Sequence, residues 1–212
     1  MKLVAGPLNS PSEEISGFKI FRALLSPDQQ AEMVEAVRSV VASAPLVRPM
    51  TAWGKPMTVR MTSAGRVGWV IERGRYRYAD RHPEQGSPWP DIPSGILDLW
   101  SAVSDWPDHP DSCLVNWYDE KARMGLHQDK DEGDLSAPVV SVSLGQSAVF
   151  RMCGTERSMP TTSTVLDSGD VVVMGGGCRL AYHGVDRIIS KHGPHPLTGN
   201  GRLNLTLRVV SV

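Results

Sequence analysis

Residues 116–132 read NWYDEKARMGLHQDKDE, and the predictions of the fold and of the functional site both start from this stretch. It begins with alternating side chains in Asn116-Trp117-Tyr118 and later places His127 and Asp129 two positions apart. On an extended backbone, residues i and i+2 project to the same side of the strand. The stretch therefore predicts a β-structure in which an imidazole and a carboxylate face one cavity.

An imidazole and a carboxylate are two of the three ligands of a facial site that suits Fe(II) and leaves coordination positions open. The third ligand must come from a distant strand, and His183 is the candidate. An isolated His-x-Asp pair is more often part of a solvated loop, and a single histidine is more often bonded to backbone. The other histidines have no ligand-like partner nearby in sequence and are predicted to play no such role: His82, His109, His192 and His195.

Composition indicates one domain of ordinary size with many turns. The chain has 212 residues, of which 41% are hydrophobic, 20 are Gly and 16 are Pro. Its formal net charge is -1, so any contact with nucleic acid must come from a local patch. Three widely spaced cysteines argue against a disulfide framework or a zinc site and favour a reducing, cytoplasmic location. The chain shows neither a secretory signal nor an apolar run of membrane-spanning length.

The C-terminal half predicts short strands separated by turns. We expect a mainly β fold with flanking helices, in which residues 112–210 form a double-stranded β-helix, or jelly-roll, core. The predicted strands are Cys113–Tyr118, Met124–His127, Val139–Leu144, Ala148–Met152, Thr164–Leu166, Val171–Met174, Leu180–His183 and Leu203–Val209.

Residues 1–47 predict an N-terminal extension and a helix. Residues 1–16 are polar and are expected to form a loose arm, followed by a short strand around Phe18. Ser26 and Gln29 can form a capping box around Pro27 at the start of the helix. A second helix, expected to cover the sheet, is indicated by apolar residues at helical spacing: Ile96, Leu99, Trp100 and Val103.

Residues 48–81 differ from the rest in charge. They contain eight basic and two acidic residues, a net charge of +6, interleaved with Trp53, Trp69, Tyr76 and Tyr78. This composition is typical of a surface that binds phosphates and stacks bases, but it also fits a hairpin whose exposed face happens to be basic. Two or three short strands broken at glycines predict a lid over a site.

Residues 202–208, RLNLTLR, alternate polar and apolar side chains. In a strand, the two arginines, Asn204 and Thr206 would share one face and the leucines the other. Two guanidinium groups directed into a cavity need anions, and a dicarboxylate can be held bidentately at each end. Asn116 and Tyr118 could add hydrogen bonds. The alternative is a half-buried strand whose charged face is solvated.

Together, the segments NWY, HQDKDE, VSVSLG, SGDVVVMGG, YHG and RLNLTLR resemble, in this order, the AlkB family of Fe(II)/2-oxoglutarate dioxygenases. The basic segment, through MTVRMTSAGRVGWV, is similar to the nucleotide-recognition lid of that family. The likeness spans roughly residues 48–210, whereas the first 45 or so residues carry little of it. Residues 151–160 depart from the family pattern.

The resemblance implies three sets of site residues. The iron ligands would be His127, Asp129 and His183. The pocket for 2-oxoglutarate would contain Asn116, Tyr118, Arg202, Asn204 and Arg208, with Arg202 at the distal carboxylate and Arg208 at the carboxylate beside the keto group. The substrate contacts would be Trp69 stacking on the base, Asp131 near its exocyclic amine, Tyr76, Arg77 and Tyr78 on the backbone, and Arg157.

The resemblance also implies an activity. With Fe(II), 2-oxoglutarate and O2, such an enzyme oxidatively dealkylates N-alkylated bases such as 1-methyladenine and 3-methylcytosine in DNA, with RNA as a further substrate, and acts as a monomer without membrane contact. The iron and co-substrate residues would be the same in an oxygenase that acts on tRNA, a protein or a metabolite. A third hypothesis is a nucleic-acid-binding module without activity, which an intact triad disfavours.

Overall fold

The computed structural model describes residues 10–51, 53–72, 74–189 and 200–210. Residues 1–9 of the predicted arm, Arg73 of the basic segment, and His192 and His195 lie outside these ranges. The described residues form thirteen strands and two α-helices. In chain order they are β1 Glu13–Ile15, β2 Phe18–Phe21, α1 Pro27–Ser43, β3 Arg60–Gly65, β4 Gly68–Glu72, β5 Arg75–Ala79, α2 Ser94–Val103, β6 Ser112–Tyr118, β7 Met124–His127, β8 Val139–Gly145, β9 Ser147–Met152, β10 Thr162–Leu166, β11 Val171–Met174, β12 His183–Ile189 and β13 Arg202–Arg208.

Two antiparallel sheets face each other, as the jelly-roll prediction requires. The larger sheet has seven strands in the order β1-β2-β11-β8-β13-β6-β3, and the smaller has four in the order β10-β9-β12-β7. Apolar side chains from both sheets, such as Ile20, Val172 and Phe150, fill part of the space between them. β4 and β5 form a separate two-stranded sheet. The predicted mainly β fold with flanking helices is confirmed.

The helices cover the outer face of the larger sheet. The predicted capping box is present at the start of α1, where Ser26 and Gln29 each accept a hydrogen bond from the backbone N–H of the other. Met33, Val37 and Val40 of α1 are buried. They belong to one apolar cluster with Leu99 and Trp100 of α2 and the leucines of β13. Since each fully buried side chain of this kind contributes roughly 1.5–3 kcal/mol, this layer fixes β13 from behind.

The larger sheet recruits strands from outside the C-terminal half. β2, from the N-terminal extension, pairs with β11, and β3, from the basic segment, pairs with β6. Glu13–Ile15, which was expected to belong to a loose arm, forms β1 against β2. The basic segment therefore divides, because its first strand belongs to the core sheet and its next two form the separate sheet.

One predicted strand was wrong. The expected strand Leu180–His183 is absent, and β12 instead begins at His183 and continues to Ile189. Residues 176–178 form a turn of 3-10 helix, and Tyr182 bonds back to Gly154 and Cys153 rather than to a ladder. Register shifts between Val185 and Arg187 break the alternation of β12, which explains why the pattern did not reveal it.

All three cysteines are free and buried, in agreement with the predicted absence of a disulfide framework. Within the described ranges, neither helix has the length and apolar character needed to cross a membrane.

Candidate active site

Three ligand-type side chains converge between the two sheets. The nearest ligand atoms of His127, Asp129 and His183 all lie within 4.8 Å of one another. The Nε2 atom of His127 is 3.8 Å from Oδ1 of Asp129, and Nε2 of His183 is 3.8 Å from its Oδ2. His127 ends β7 and His183 begins β12, and these residues are directly opposite in the antiparallel pair.

Each histidine is oriented by its own backbone neighbourhood. The Nδ1 atom of His127 is 3.0 Å from the carbonyl of Gly125, and Nδ1 of His183 is 3.1 Å from the carbonyl of Ala181. A carbonyl can only accept, so Nδ1 carries the proton and Nε2 keeps its lone pair for a metal. Burial lowers the pKa of His183 to about 4, which keeps this imidazole neutral near pH 7.

Gly184 sets the distance between the two strands that carry the histidines. A Cβ atom at this position would lie 2.6 Å from the carbonyl oxygen of Met124 and 2.9 Å from that of Gly125. Those backbone atoms belong to β7, so a side chain at position 184 would push β7 away from β12. The glycine therefore allows the two imidazoles to face each other, with ring centroids 4.5 Å apart.

Asp129 is buried and paired with an arginine. Its Oδ1 accepts a hydrogen bond of 2.9 Å from Nη2 of Arg208. Burial alone would raise the pKa of Asp129, but the charge of Arg208, with the two histidines, outweighs it and holds the pKa below its ordinary value. Oδ2 of Asp129 and Nη1 of Arg208 are buried without a hydrogen-bond partner among the described residues. A carboxylate oxygen that can bind a metal ion therefore lies next to a guanidinium nitrogen that can bind an anion.

The other end of β13 holds a second buried cation. Arg202 is 1% exposed and donates to Oγ of Ser143 and the carbonyl of Gln146, at 2.7 and 3.3 Å. Its Nε is buried without a partner, and no carboxylate of the described residues forms an ion pair with it. Burial lowers the pKa of Arg202 to about 10. A fully buried guanidinium in this state fits an anionic ligand.

Asn116 and Asn204 are joined across β6 and β13. Nδ2 of Asn116 donates to Oδ1 of Asn204 at 3.3 Å, and Thr206 donates to the same oxygen at 3.1 Å. Asn204 also donates to Oγ of Ser141 at 2.7 Å and to the carbonyl of Val142 at 3.2 Å. Its amide is fully used, so Asn204 positions its neighbours and leaves Oδ1 of Asn116 without a partner among the described residues.

A single cavity of about 210 Å³ connects these groups. Twelve of the fourteen predicted site residues line it: Trp69, Tyr76, Tyr78, Asn116, Tyr118, His127, Asp129, Asp131, His183, Arg202, Asn204 and Arg208. Arg77 and Arg157 do not line it. Arg77 forms an exposed ion pair with Glu72, and Arg157 lies over the ring of Tyr182.

The mouth of the cavity is covered by the two-stranded sheet, which we call the lid (β4–β5). Trp69 and Tyr76 stack with ring centroids 5.2 Å apart and an interplanar angle of 18°. Nε1 of Trp69 donates to Oδ2 of Asp131 at 3.2 Å. Trp69 is only partly buried and Tyr76 is 52% exposed, so both rings keep surface available to a ligand.

Two buried charged residues that the sequence did not reveal tie the lid to the metal ligands. Glu132 accepts a hydrogen bond of 2.7 Å from the hydroxyl of Tyr78 and forms ion pairs with Arg208 and Arg179, both at 3.2 Å. Arg179 in turn donates to the backbone carbonyl of Asp129 at 2.6 Å. The run of three acids in DKDE was the available signal for Glu132, whereas nothing in the sequence pointed from Arg179 to a partner 47 positions away.

Comparison with known proteins decides what this arrangement is. A family model described as the 2OG-Fe(II) oxygenase superfamily matches residues 17–208. The chain is 50% identical over 209 residues to an alpha-ketoglutarate-dependent dioxygenase AlkB homolog of Caulobacter vibrioides, covering 98% of this chain and 92% of that one. It is an AlkB-family dioxygenase. The AlkB of Escherichia coli is 41% identical over 181 residues, 84% of this chain and 83% of the relative.

One solved structure and one further relative are more distantly similar to this chain. The solved structure of OsALKBH1 matches with a TM-score of 0.79 at 29% identity, covering 93% of this chain and 98% of that one. A protein named tRNA demethylase abh1 from Schizosaccharomyces pombe is 32% identical over 153 residues, 69% of this chain and 50% of the relative. The cofactor of this AlkB-family enzyme is Fe(II), with 2-oxoglutarate and O2 as co-substrates. The buried donor set of two imidazoles and one carboxylate fits that metal.

Proposed function

We propose that this enzyme removes alkyl groups from the ring nitrogens of nucleic-acid bases, such as 1-methyladenine and 3-methylcytosine in DNA. One observation carries the proposal. Trp69, bonded to the carboxylate of Asp131, lines the same cavity as the three ligand residues. A flat aromatic face beside a carboxylate suits a flat ring that carries positive charge, and methylation at these nitrogens creates such a ring.

The metal site supplies the oxidation. With iron bound by Nε2 of His127, Nε2 of His183 and the carboxylate of Asp129, 2-oxoglutarate and O2 would be converted to succinate and CO2 while the N-alkyl carbon is hydroxylated and leaves as an aldehyde, formaldehyde for a methyl group. The protein orients the reactants and excludes water from them. The depth of the site serves this purpose, since Asp129 and His183 are each 7% exposed.

The two arginines of β13 would hold the co-substrate. Arg202, with Asn116 and Tyr118, would bind the distal carboxylate of 2-oxoglutarate, because its buried guanidinium has an unpartnered Nε. Arg208 would bind the carboxylate beside the keto group through its free Nη1, next to the metal ligands. Charge-assisted pairs of this kind are stronger than neutral hydrogen bonds. The two guanidinium groups, fixed at opposite ends of β13, would thus select a dicarboxylate of matching length.

The lid would bind the base. An alkylated base that has lost its pairing needs less energy to be extruded from a helix. It would then stack on Trp69, with its exocyclic amine near Asp131. Arg77 and Arg157, which are exposed and lie outside the cavity, would contact phosphates rather than the base. All of these groups come from one chain, so we propose that a monomer is active. We also propose a cytoplasmic location, because free cysteines are typical of a reducing compartment.

A second candidate is an RNA substrate, above all tRNA. It is favoured by the similarity to the protein named tRNA demethylase abh1. Base stacking and phosphate contacts do not by themselves distinguish ribose from deoxyribose, because that distinction requires contacts to the 2′-hydroxyl. The iron and co-substrate residues would perform the same roles.

A panel of alkylated oligonucleotides tests the proposal. The protein would be incubated with Fe(II), ascorbate and 2-oxoglutarate together with DNA and RNA strands of one sequence that carry 1-methyladenine or 3-methylcytosine. We expect a mass loss of one methylene per strand and stoichiometric formaldehyde and succinate, and no reaction when 2-oxoglutarate is omitted. Reaction on RNA alone would select the second candidate. Turnover of 2-oxoglutarate with no mass change in any strand would contradict both.

A further inference from the structure

Two of the three metal-ligand residues lie on paired strands, and the third does not. His127 ends β7 and His183 begins β12, so the ladder between these strands fixes both backbones. Asp129 lies beyond the end of β7, in the connection to β8 that we call the ligand segment (residues 128–138). Because the ligand segment belongs to neither sheet, contacts outside the ladders must fix the position of the carboxylate.

One arginine contacts the ligand segment at three points. Nη1 of Arg179 donates to the backbone carbonyl of Asp129 at 2.6 Å, and its Nε donates to the carbonyl of Ala137 at 2.7 Å. Its Nη2 forms an ion pair of 3.2 Å with Oε2 of Glu132. Each of the three guanidinium nitrogens therefore has an acceptor of its own. The rigid planar group fixes the directions of these contacts, which a flexible ammonium group does not.

Arg179 is buried, with 4% of its surface exposed. Burial of a cation costs free energy unless protein groups replace the lost water, and here three acceptors replace it. An apolar side chain of similar volume would fill the same space without that cost. The guanidinium therefore contributes something that packing alone does not, and its contacts indicate that this is the position of the ligand segment.

The loop that carries Arg179 also orients the third ligand. Arg179 follows the 3-10 turn, and its backbone N–H donates to the carbonyl of Gly176 at 3.1 Å. Farther along the same loop, the carbonyl of Ala181 accepts a hydrogen bond of 3.1 Å from Nδ1 of His183. One loop thus fixes Asp129 through Arg179 and His183 through Ala181. A shift of this loop would move both ligands.

We propose that Arg179 is a positioning residue of the metal site. It holds the backbone of Asp129 so that the two carboxylate oxygens stay 3.8 Å from the Nε2 atoms of His127 and His183. Arg179 does not line the active-site cavity, so it acts through Asp129 and not on a reactant. Partners of this kind, one step behind the ligands, typically change metal affinity or activity by about 10- to 100-fold.

The test compares metal affinity with stability in four proteins: wild type, Arg179→Met, Arg179→Lys and Arg22→Met. Co(II) would be titrated into each metal-free protein by calorimetry, and the melting temperature of each metal-free protein would be measured. Arg22 is the matched control, because it also bonds to several side chains and does not line the cavity. Its partners are Glu13, Asp170 and Thr164.

We expect Arg179→Met to weaken Co(II) binding by about 10- to 100-fold. Arg179→Lys should weaken it as well, since one ammonium group cannot reach all three acceptors in these directions. Arg22→Met should lower the melting temperature but leave the affinity for Co(II) within about twofold of wild type, because its site is separate. In the two Arg179 variants, the Fe(II) concentration that gives half-maximal 2-oxoglutarate consumption should rise by the same factor as the dissociation constant of Co(II).

Unchanged Co(II) affinity in Arg179→Met, with a melting temperature lowered as in Arg22→Met, would show that the contacts serve stability alone and would overturn the proposal. Equal weakening of Co(II) binding in Arg22→Met would overturn it too. If Arg179→Met does not fold, the titration of Arg179→Lys decides, and wild-type affinity in that variant counts against the proposal. Co(II) binding requires no oligonucleotide, so a failure of the proposed dealkylation would leave this result unaffected.

Discussion

The two ends of the active-site cavity are built in opposite ways. At the co-substrate end, all seven residues of β13 are buried, and its polar side chains are bonded to neighbouring strands. At the lid, the first three residues of β5 are exposed and its sheet has only two strands. Such a small, exposed sheet has little stability of its own. The end that performs the chemistry is fixed, and the end that meets the substrate can adapt.

The difference shows which variations each end tolerates. A substitution at Asp129 leaves the buried Arg208 without its counter-charge, whereas Arg77 and Glu72 face water, where an ion pair contributes about 0–1 kcal/mol. We therefore expect effects on turnover to fall steeply from the metal ligands to the outer face of the lid. The following predictions test that order.

Replacement of Asp129 should have the largest effect. Asp129→Ala removes a metal ligand and the partner of Arg208, so we expect no detectable 2-oxoglutarate turnover. Breaking a buried ion pair costs about 3 kcal/mol or more, so the melting temperature should also fall. Asp129→Asn keeps the volume and an acceptor for Arg208, and should be inactive with a smaller loss of stability. Ordinary succinate production by either variant would refute the ligand assignment.

Arg202→Lys should weaken co-substrate binding. A lysine cannot form the bidentate pair that a guanidinium forms with a carboxylate. Hydrogen bonds to charged groups contribute about 1.5–3 kcal/mol, so the KM for 2-oxoglutarate should rise roughly 10- to 150-fold, with kcat at saturation less affected. Arg187→Lys, on the exposed part of β12, is the matched control. An unchanged KM in Arg202→Lys would place the distal carboxylate elsewhere.

Trp69→Ala should separate the two ends of the cavity. Loss of one stacking surface costs about 1–3 kcal/mol, so kcat/KM for an alkylated oligonucleotide should fall roughly 5- to 150-fold. The dissociation constant of 2-oxoglutarate, measured by calorimetry on the metal-loaded enzyme, should stay within about twofold, because Trp69 donates its hydrogen bond to Asp131 and not to a group that would hold the co-substrate. Equal losses in both measurements would remove the case for base stacking.

Tyr78→Phe tests the connection between the two ends. The variant removes the hydrogen bond from the lid to Glu132, which also pairs with Arg208. If this bond links lid closure to the co-substrate site, bound oligonucleotide should tighten 2-oxoglutarate binding in wild type, and the variant should lose a few-fold of this coupling. The measurement is the affinity for 2-oxoglutarate with and without oligonucleotide. The same coupling in both proteins would show that the ends act independently.

Arg77→Ala should have the smallest effect. Its guanidinium is half exposed and already paired with Glu72. If it contacts one phosphate, affinity for any oligonucleotide should fall about two- to threefold at low salt, and the slope of log affinity against log salt should decrease by about one. A change that depends on the alkylated base would instead indicate a direct contact with that base.

The sequence predicts the fixed end better than the adaptable one, and the reason is physical. Alternation in RLNLTLR predicts which side of β13 faces the cavity, because a shift of one residue would exchange the polar face and the apolar face of the strand. The Asn-x-Tyr and His-x-Asp pairs follow the same rule. The sequence indicates His183 as a ligand candidate but misplaces its strand. The misplacement arises because a bulge interrupts the alternation of β12.

Contacts between distant segments were beyond the sequence. Arg179 and Glu132 carry opposite charges, but only folding brings them together in a buried pair. The division of residues 48–81 between core and lid was also not foreseen, because β3, β4 and β5 have similar lengths and turns, and pairing of β3 with β6 depends on a register that spans about fifty residues of chain.

The missing side chain at Gly184 has a consequence for how this active site can change. A methyl group there would collide with two carbonyl oxygens of β7. The spacing between the two histidine ligands therefore requires that position 184 carry no side chain. Variation at this position would alter which ion fits before it altered any ligand. Attempts to redesign the metal preference of the enzyme should therefore begin with the spacing of β7 and β12 and leave the histidines in place.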